Sequence, residues 1–136
     1  MRILLIFLFT ILSSYSYCAD WDYLRSNPEG TLYYDRLNIS KYKKNGDLNI
    51  KFNIRLDLKE PSFTSSGVAW NSTTYTIILA CEPSMYSIGN RKYFSGRRGT
   101  GGIVAKKDGY DDWGFYGIPS LVAHTGAYEL EKFCKG

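Results

Sequence analysis

Between Asp47 and Lys59 the chain reads Asp-Leu-Asn-Ile-Lys-Phe-Asn-Ile-Arg-Leu-Asp-Leu-Lys. Leu48, Ile50, Phe52, Ile54, Leu56 and Leu58 are apolar, and every residue between them is polar or charged. A β-strand sends alternate side chains to opposite faces, so this stretch predicts one wholly apolar wall and one wholly wet wall. Wound as a helix, the same six residues would scatter around the circumference. The pattern therefore belongs to an antiparallel sheet with one covered and one solvated face. A slip of one residue would turn all six apolar groups to water, which fixes the register tightly.

The chain has 136 residues, enough for one domain with a real core but not for two. Its first residues stand apart. Met1-Arg2 carries one positive charge, Ile3 to Leu12 is apolar except for Thr10, and Ser13, Ser14 and Ser16 follow ahead of Ala19. This is the layout of a secretory signal peptide over residues 1–19, cleaved after Cys18 or Ala19, and its apolar run is too short to span a bilayer. Lipidation of Cys18 is disfavoured, because Tyr17 and Tyr15 stand where small and aliphatic residues are needed. Residues 20–136 then form the exported domain, in which Cys81 and Cys134 are an even pair in an oxidising compartment. Two cysteines and one histidine cannot build a zinc site, so the expectation is a disulfide and no metal.

Along the domain, Trp21-Asp22-Tyr23 precedes a turn at Ser26 to Gly30, and Thr31 to Leu37 reads as a first strand. Lys41 to Asp47 reads as a basic turn centred on Asn45-Gly46, a hairpin signal into the long strand, which Glu60-Pro61 should end. Ser62 to Ser66 is a polar loop. Further strands are expected within Gly67 to Glu82, from Met85 to Ser95 with a bulge at Gly89-Asn90, at Ile103 to Ala105, and from Trp113 to Ile118. Gly96 to Gly102 and Lys106 to Asp112 read as connections. Near the end, Ala127, Leu130 and Cys134 recur at helical spacing with Phe133 beside them, Thr125 serving as N-cap. The whole is α+β but mostly β: a single antiparallel sheet of about six strands, with a C-terminal helix packed on one face and Cys134 tied to Cys81.

The chemistry is sparse. His124 is the only histidine and has no matching nucleophile motif, so it reads as structural or exposed and the chain as no enzyme. Asp108, Asp111 and Asp112 flank Gly109 as in a turn and lack the donor spacing of a calcium loop. Gly96 to Gly102 lacks the Lys-Ser/Thr ending of a phosphate loop, and no cofactor is implied. After loss of Arg2 the balance is 16 basic against 13 acidic residues, a net charge of +3, too small and too evenly spread for nucleic-acid binding. The one suggestive cluster is Arg91, Lys92, Tyr93, Phe94, Arg97 and Arg98, with Lys106 and Lys107 across the glycine turn. Arginine with aromatics is the composition of interface hot spots. Lys41, Lys43 and Lys44 make a smaller basic patch.

Trp21, Tyr34-Asp35, Ile39, the alternating strand up to Pro61, Cys81, Tyr93, Gly99 to Val104, Trp113, Ile118-Pro119 and Phe133-Cys134 occur in an order and spacing that resembles the surface-adhesin protein E family of exported bacterial proteins. The resemblance implies an antiparallel sheet with a C-terminal helix disulfide-tethered to its concave face. It also implies a protein partner, since the family's name-giving members are outer-surface adhesins for host extracellular-matrix proteins such as vitronectin and laminin. The alternative is a periplasmic binder or inhibitor of an enzyme, or of a small apolar ligand held between sheet and helix. In either case the protein is exported, to the periplasm, the cell surface or the medium.

Overall fold

The computed structural model describes residues 19–82, 85–111, 114–115 and 126–135. The signal segment up to Cys18, Asp112, Trp113, Ile118, Pro119, His124 and Thr125 lie outside the described residues.

The organising strand is β4, Asp47–Phe63, seventeen residues long. It is preceded by β1 (Trp21–Ser26), β2 (Gly30–Asp35) and β3 (Ser40–Lys44), and followed by β5 (Ala69–Ala80), β6 (Met85–Phe94), β7 (Ile103–Tyr110) and the two-residue β8 (Gly114–Phe115). All pairings are antiparallel, in the order β1-β2-β4-β5-β6-β7. β2 and β3 lie end to end along one edge of β4, pairing with its second and first halves. β7 and β8 share an edge of β6 in the same way. Among the described residues the sheet therefore has eight strands rather than about six.

The hairpin β3–β4 turns on Asn45 and Gly46, both left-handed at φ 53° and 85°, as a two-residue type I′ turn demands. Three segments differ from the sequence expectation. Trp21–Ser26 is a paired strand and not merely a lead-in. Lys41–Lys44 is strand rather than turn. The stretch from Lys106 to Tyr110 completes β7 instead of forming a turn; it carries charges and lies at a sheet edge, where charge blocks further pairing. Pro61 does not end β4 either: the register shifts between Asp57 and Ser62 and pairing with β5 resumes at Ser62–Trp70. A bulge is one of the few places where a strand tolerates proline.

The six apolar residues of β4 do share a face. Ile50, Phe52, Ile54, Leu56 and Leu58 are buried with Leu32 and Tyr34 of β2, Tyr75, Ile77 and Leu79 of β5 and Ile88 of β6, and Leu48 packs at the margin. The expected C-terminal helix is reduced to one α-helical turn, Ala127–Leu130, running into a 3-10 turn, Glu131–Cys134. It nonetheless covers the apolar face. Ala127 and Leu130 are fully buried, and the Phe133 ring lies 5.4 Å from that of Phe52 and 5.8 Å from that of Tyr34. Burying such side chains is worth about 1.5–3 kcal/mol each. The Cys81–Cys134 disulfide, with Cα atoms 5.6 Å apart, pins the short segment in place.

The opposite face is not wholly wet. Asn49, Ser72, Thr76 and Ser87 are buried there, and Arg55 is only 7% exposed.

Candidate functional site

Strand pairing sorts the basic cluster onto two faces. Arg91 pairs with Lys107 and Tyr93 with Ala105, on the face that carries the core. Lys92 pairs with Lys106 on the outer face. The basic and aromatic cluster is therefore not one patch. On the core face Tyr93 packs edge-on against Trp70, ring centroids 4.8 Å apart. Arg91 and Lys107 both grip Asp111, at 2.6 and 2.9 Å. The Lys107 hydrogen bond, with the Arg91 charge beside it, holds the Asp111 carboxyl below the usual carboxylate range. These cations brace the end of β7 and are already partnered.

The outer face gathers a different set. Arg55 on β4 extends between Trp21 of β1 and Tyr33 of β2, its guanidinium carbon 5.0 and 4.5 Å from the two ring centroids. It also pairs with Asp57 two residues on, at 2.9 Å. Tyr23, 64% exposed, stands edge-on to Tyr33 at 6.5 Å and extends the aromatic strip to the sheet edge. Arg55 and Tyr33 alternate with core residues on β4 and β2, which directs them outward.

The glycine-rich connection folds onto this same face. Ser72 of β5, fully buried, donates from its hydroxyl to the Gly96 carbonyl at 2.7 Å and accepts from the Gly99 amide at 2.9 Å. Asn71 adds a bond from its amide to the Ser95 carbonyl at 2.6 Å. Gly99 has φ 68°, and a Cβ placed on it would sit 3.9 Å from Cδ of Arg55 and 3.7 Å from Cγ2 of Thr74. Arg98, also left-handed at φ 58°, and Arg97 are both exposed at the tip. Arg97 Nη2 reaches the Lys59 carbonyl at 3.5 Å. The two arginines do not project freely: their turn is anchored across β5 and β4, beside Arg55.

Of the residues singled out in the sequence, Lys92, Arg97, Arg98 and Lys106 thus belong to one surface, while Arg91, Tyr93 and Lys107 belong to the other. Tyr23, Tyr33 and Arg55 carry no signal of binding in the sequence, and Trp21 enters there only through the family resemblance, although Tyr33 and Arg55 alternate with core residues. Among the described residues there is no group of three metal-ligating side chains, and no helix is long and apolar enough to cross a membrane. The space between the sheet and the C-terminal turns is filled by Ala127, Leu130 and Phe133.

The surface-adhesin protein E family model matches residues 21–122, three quarters of the chain. The chain belongs to the surface-adhesin protein E family. It is similar in fold to Haemophilus influenzae protein E, with a TM-score of 0.56 at 18% identity over 82% of this chain and 81% of that one. A second crystal form of that protein gives 0.57 at 18% identity over 84% and 85%. Protein E from non-typeable Haemophilus influenzae gives 0.54 at 15% identity over 76% and 71%. Sequence comparison with curated proteins finds no match. The family match spans β1 to β8, so it includes every strand that contributes to the outer face.

Proposed function

We propose that this chain is an exported, non-enzymatic binding module of the adhesin type, which engages a protein partner through the outer face of its sheet. The observation that carries the reading is the Ser72-anchored turn, which sets Arg97 and Arg98 beside an Arg55 already held between Trp21 and Tyr33. Guanidinium groups accept planar, bidentate partners such as carboxylates. The Ser72 bonds fix the backbone of the turn that carries Arg97 and Arg98, so that backbone needs no ordering on binding. Membership of the surface-adhesin protein E family supports the adhesive role. The partners of choice for a test are host extracellular-matrix proteins, vitronectin and laminin.

Binding of the purified protein to immobilised vitronectin and laminin across a salt series tests this directly. Affinity should fall as salt rises, because exposed charges are screened. The Arg97→Ala/Arg98→Ala variant should bind roughly 5–30-fold more weakly, the range expected for loss of about 1–2 kcal/mol of interface contact. Equal binding by wild type and variant, with the same salt dependence, places the contact elsewhere. No binding by either removes these two partners.

A further inference from the structure

The β4–β5 hairpin outruns its neighbours. β2 pairs with β4 no further than Leu58, and β6 with β5 no further than Ser72, whereas β4 and β5 pair again at Ser62–Trp70 and Phe63–Ala69. Among the described residues, Ser62 to Trp70 is therefore a two-stranded arm that no third strand flanks. No residue from Pro61 to Cys81 is charged. Phe63 is 65% and Val68 45% exposed, and a Cβ placed on Gly67 beside Val68 would meet nothing within 4 Å. Apolar groups gathered in this way at an exposed tip mark an interaction site. The polar groups of the tip are turned on one another. The Thr64 amide donates to the Val68 carbonyl and the Gly67 amide to the Thr64 carbonyl, both at 2.9 Å. The Val68 amide donates to Thr64 Oγ1 at 3.1 Å, and the Thr64 and Ser66 hydroxyls bond at 3.0 Å. At the root of the arm stands the half-buried Trp70, and behind it Lys59, Arg97 and Arg98 are exposed, with Arg97 Nη2 on the Lys59 carbonyl. Glu29 and Glu60 are the acids at this end, both exposed.

We propose that this arm is a membrane-docking element, which dips Phe63 and Val68 into the surface of an anionic phospholipid bilayer while Lys59, Arg97 and Arg98 meet its headgroups. The order along the arm is an apolar, uncharged tip, then a tryptophan, then cations. A bilayer presents its layers in the matching order, from acyl chains through the interface that tryptophan favours to the charged headgroups. The reach fits as well: three residues of strand beyond Ser62, at about 3.3 Å each, give roughly 10 Å, and apolar segments that lie in a bilayer surface enter it by about 5–10 Å. Backbone groups that approach hydrocarbon must be satisfied internally, which is what the bonds centred on Thr64 achieve. A polar protein surface would instead be met by charges or free amides at the tip, and the arm carries none there. Three cations stand against two acids at the root, so anionic headgroups should strengthen binding severalfold, with the apolar tip supplying the rest. Arg97 and Arg98 also serve the protein-binding reading, but a lipid vesicle contains no protein, so the two readings stand or fall separately.

The test is sedimentation of the mature protein, free of its signal segment, with vesicles of phosphatidylethanolamine containing a quarter phosphatidylglycerol and with vesicles of neutral phosphatidylcholine. The expected result is binding to the anionic vesicles and severalfold weaker binding to the neutral ones. Phe63→Ser/Val68→Ser, at exposed positions, should keep the wild-type circular dichroism and lose at least fivefold in binding. Leu37→Ser removes an equally exposed apolar side chain, 61% accessible, from the connection between β2 and β3, and should bind like wild type. Phe63→Trp should retain binding and gain fluorescence that lipid brominated on its acyl chains quenches. The proposal is overturned if the anionic vesicles bring down no protein, if neutral vesicles bind as well, if the arm variant binds like wild type, if Leu37→Ser loses as much, or if Trp at position 63 is not quenched. Absence of vesicle binding together with loss of vitronectin or laminin binding by the arm variant would assign the arm to a protein contact instead.

Discussion

Arg55→Met removes the guanidinium that lies between Trp21 and Tyr33 while keeping an unbranched side chain of comparable length. Its cost can be worked from two contributions. The ion pair with Asp57 is nearly enclosed, with side chains 9% and 18% exposed, and removing one member of a buried pair costs about 3–5 kcal/mol because the other charge is left uncompensated. Partial exposure of Asp57 brings that toward about 2 kcal/mol. Two cation–π contacts at 5.0 and 4.5 Å add about 0.5–1 kcal/mol each. The expected destabilisation is about 3 kcal/mol, a lowering of the urea midpoint by roughly 1.5 M for a slope near 2 kcal/mol per M. Arg55→Met/Asp57→Asn should recover about half of this, because no charge is then stranded. Urea unfolding followed by tryptophan fluorescence measures all three proteins. An Arg55→Met stability within about 0.5 kcal/mol of wild type, the range of ordinary surface changes, or a midpoint shift under about 0.25 M, would refute the claim that this residue is an enclosed anchor of the outer face.

Replacing Cys81 and Cys134 together by serine opens a crosslink between residues 53 apart, and should lower stability by about 4 kcal/mol; an unchanged thermal midpoint would mean that the C-terminal turns hold without their tether. Burial pushes the Tyr75 phenol above its ordinary value. Its protonated form is the one the fold favours, so its stabilising contribution is complete below pH 10 and is lost as pH rises beyond it. Tyr75→Phe should therefore flatten the alkaline arm of a stability–pH curve, and an unchanged arm would show that Tyr75 does not govern it. Asp111 has the opposite sign. Its carboxyl is held low by Lys107, so its contribution is present above its ordinary value and falls away at more acid pH, and Asp111→Asn should remove that part of the acid dependence.

The alternation from Leu48 to Leu58 was enough to place the core wall, because period two assigns faces without reference to neighbours. Asn45-Gly46 was legible for a similar reason: both positions need φ above zero, and few residue pairs supply it. Arg55 was not legible. Its face follows from the pattern, but its burial comes from rings on β1 and β2, one of them 34 residues earlier, that only pairing brings alongside. The basic cluster misled in a related way. Arg91-Lys92 and Lys106-Lys107 are each consecutive in sequence, yet a strand puts consecutive residues on opposite faces, and Lys106 to Tyr110, turn-like in composition, is part of an edge strand. The terminal helix was overestimated because i, i+3, i+7 spacing also fits one α-helical turn followed by a 3-10 turn, held by burial and a disulfide and not by its own length.

Lysine acetylation with and without a bound protein partner tests, residue by residue, whether the outer face is the contact surface. Lys106 and Lys107 are adjacent in sequence and exposed, but on opposite sides of the sheet; Lys132 is exposed on the C-terminal turns that cover the core face. With partner bound, Lys92 and Lys106 should be protected severalfold while Lys107 and Lys132 react as in the free protein. Protection of Lys107 and Lys132, with Lys92 and Lys106 still fully reactive, would contradict it.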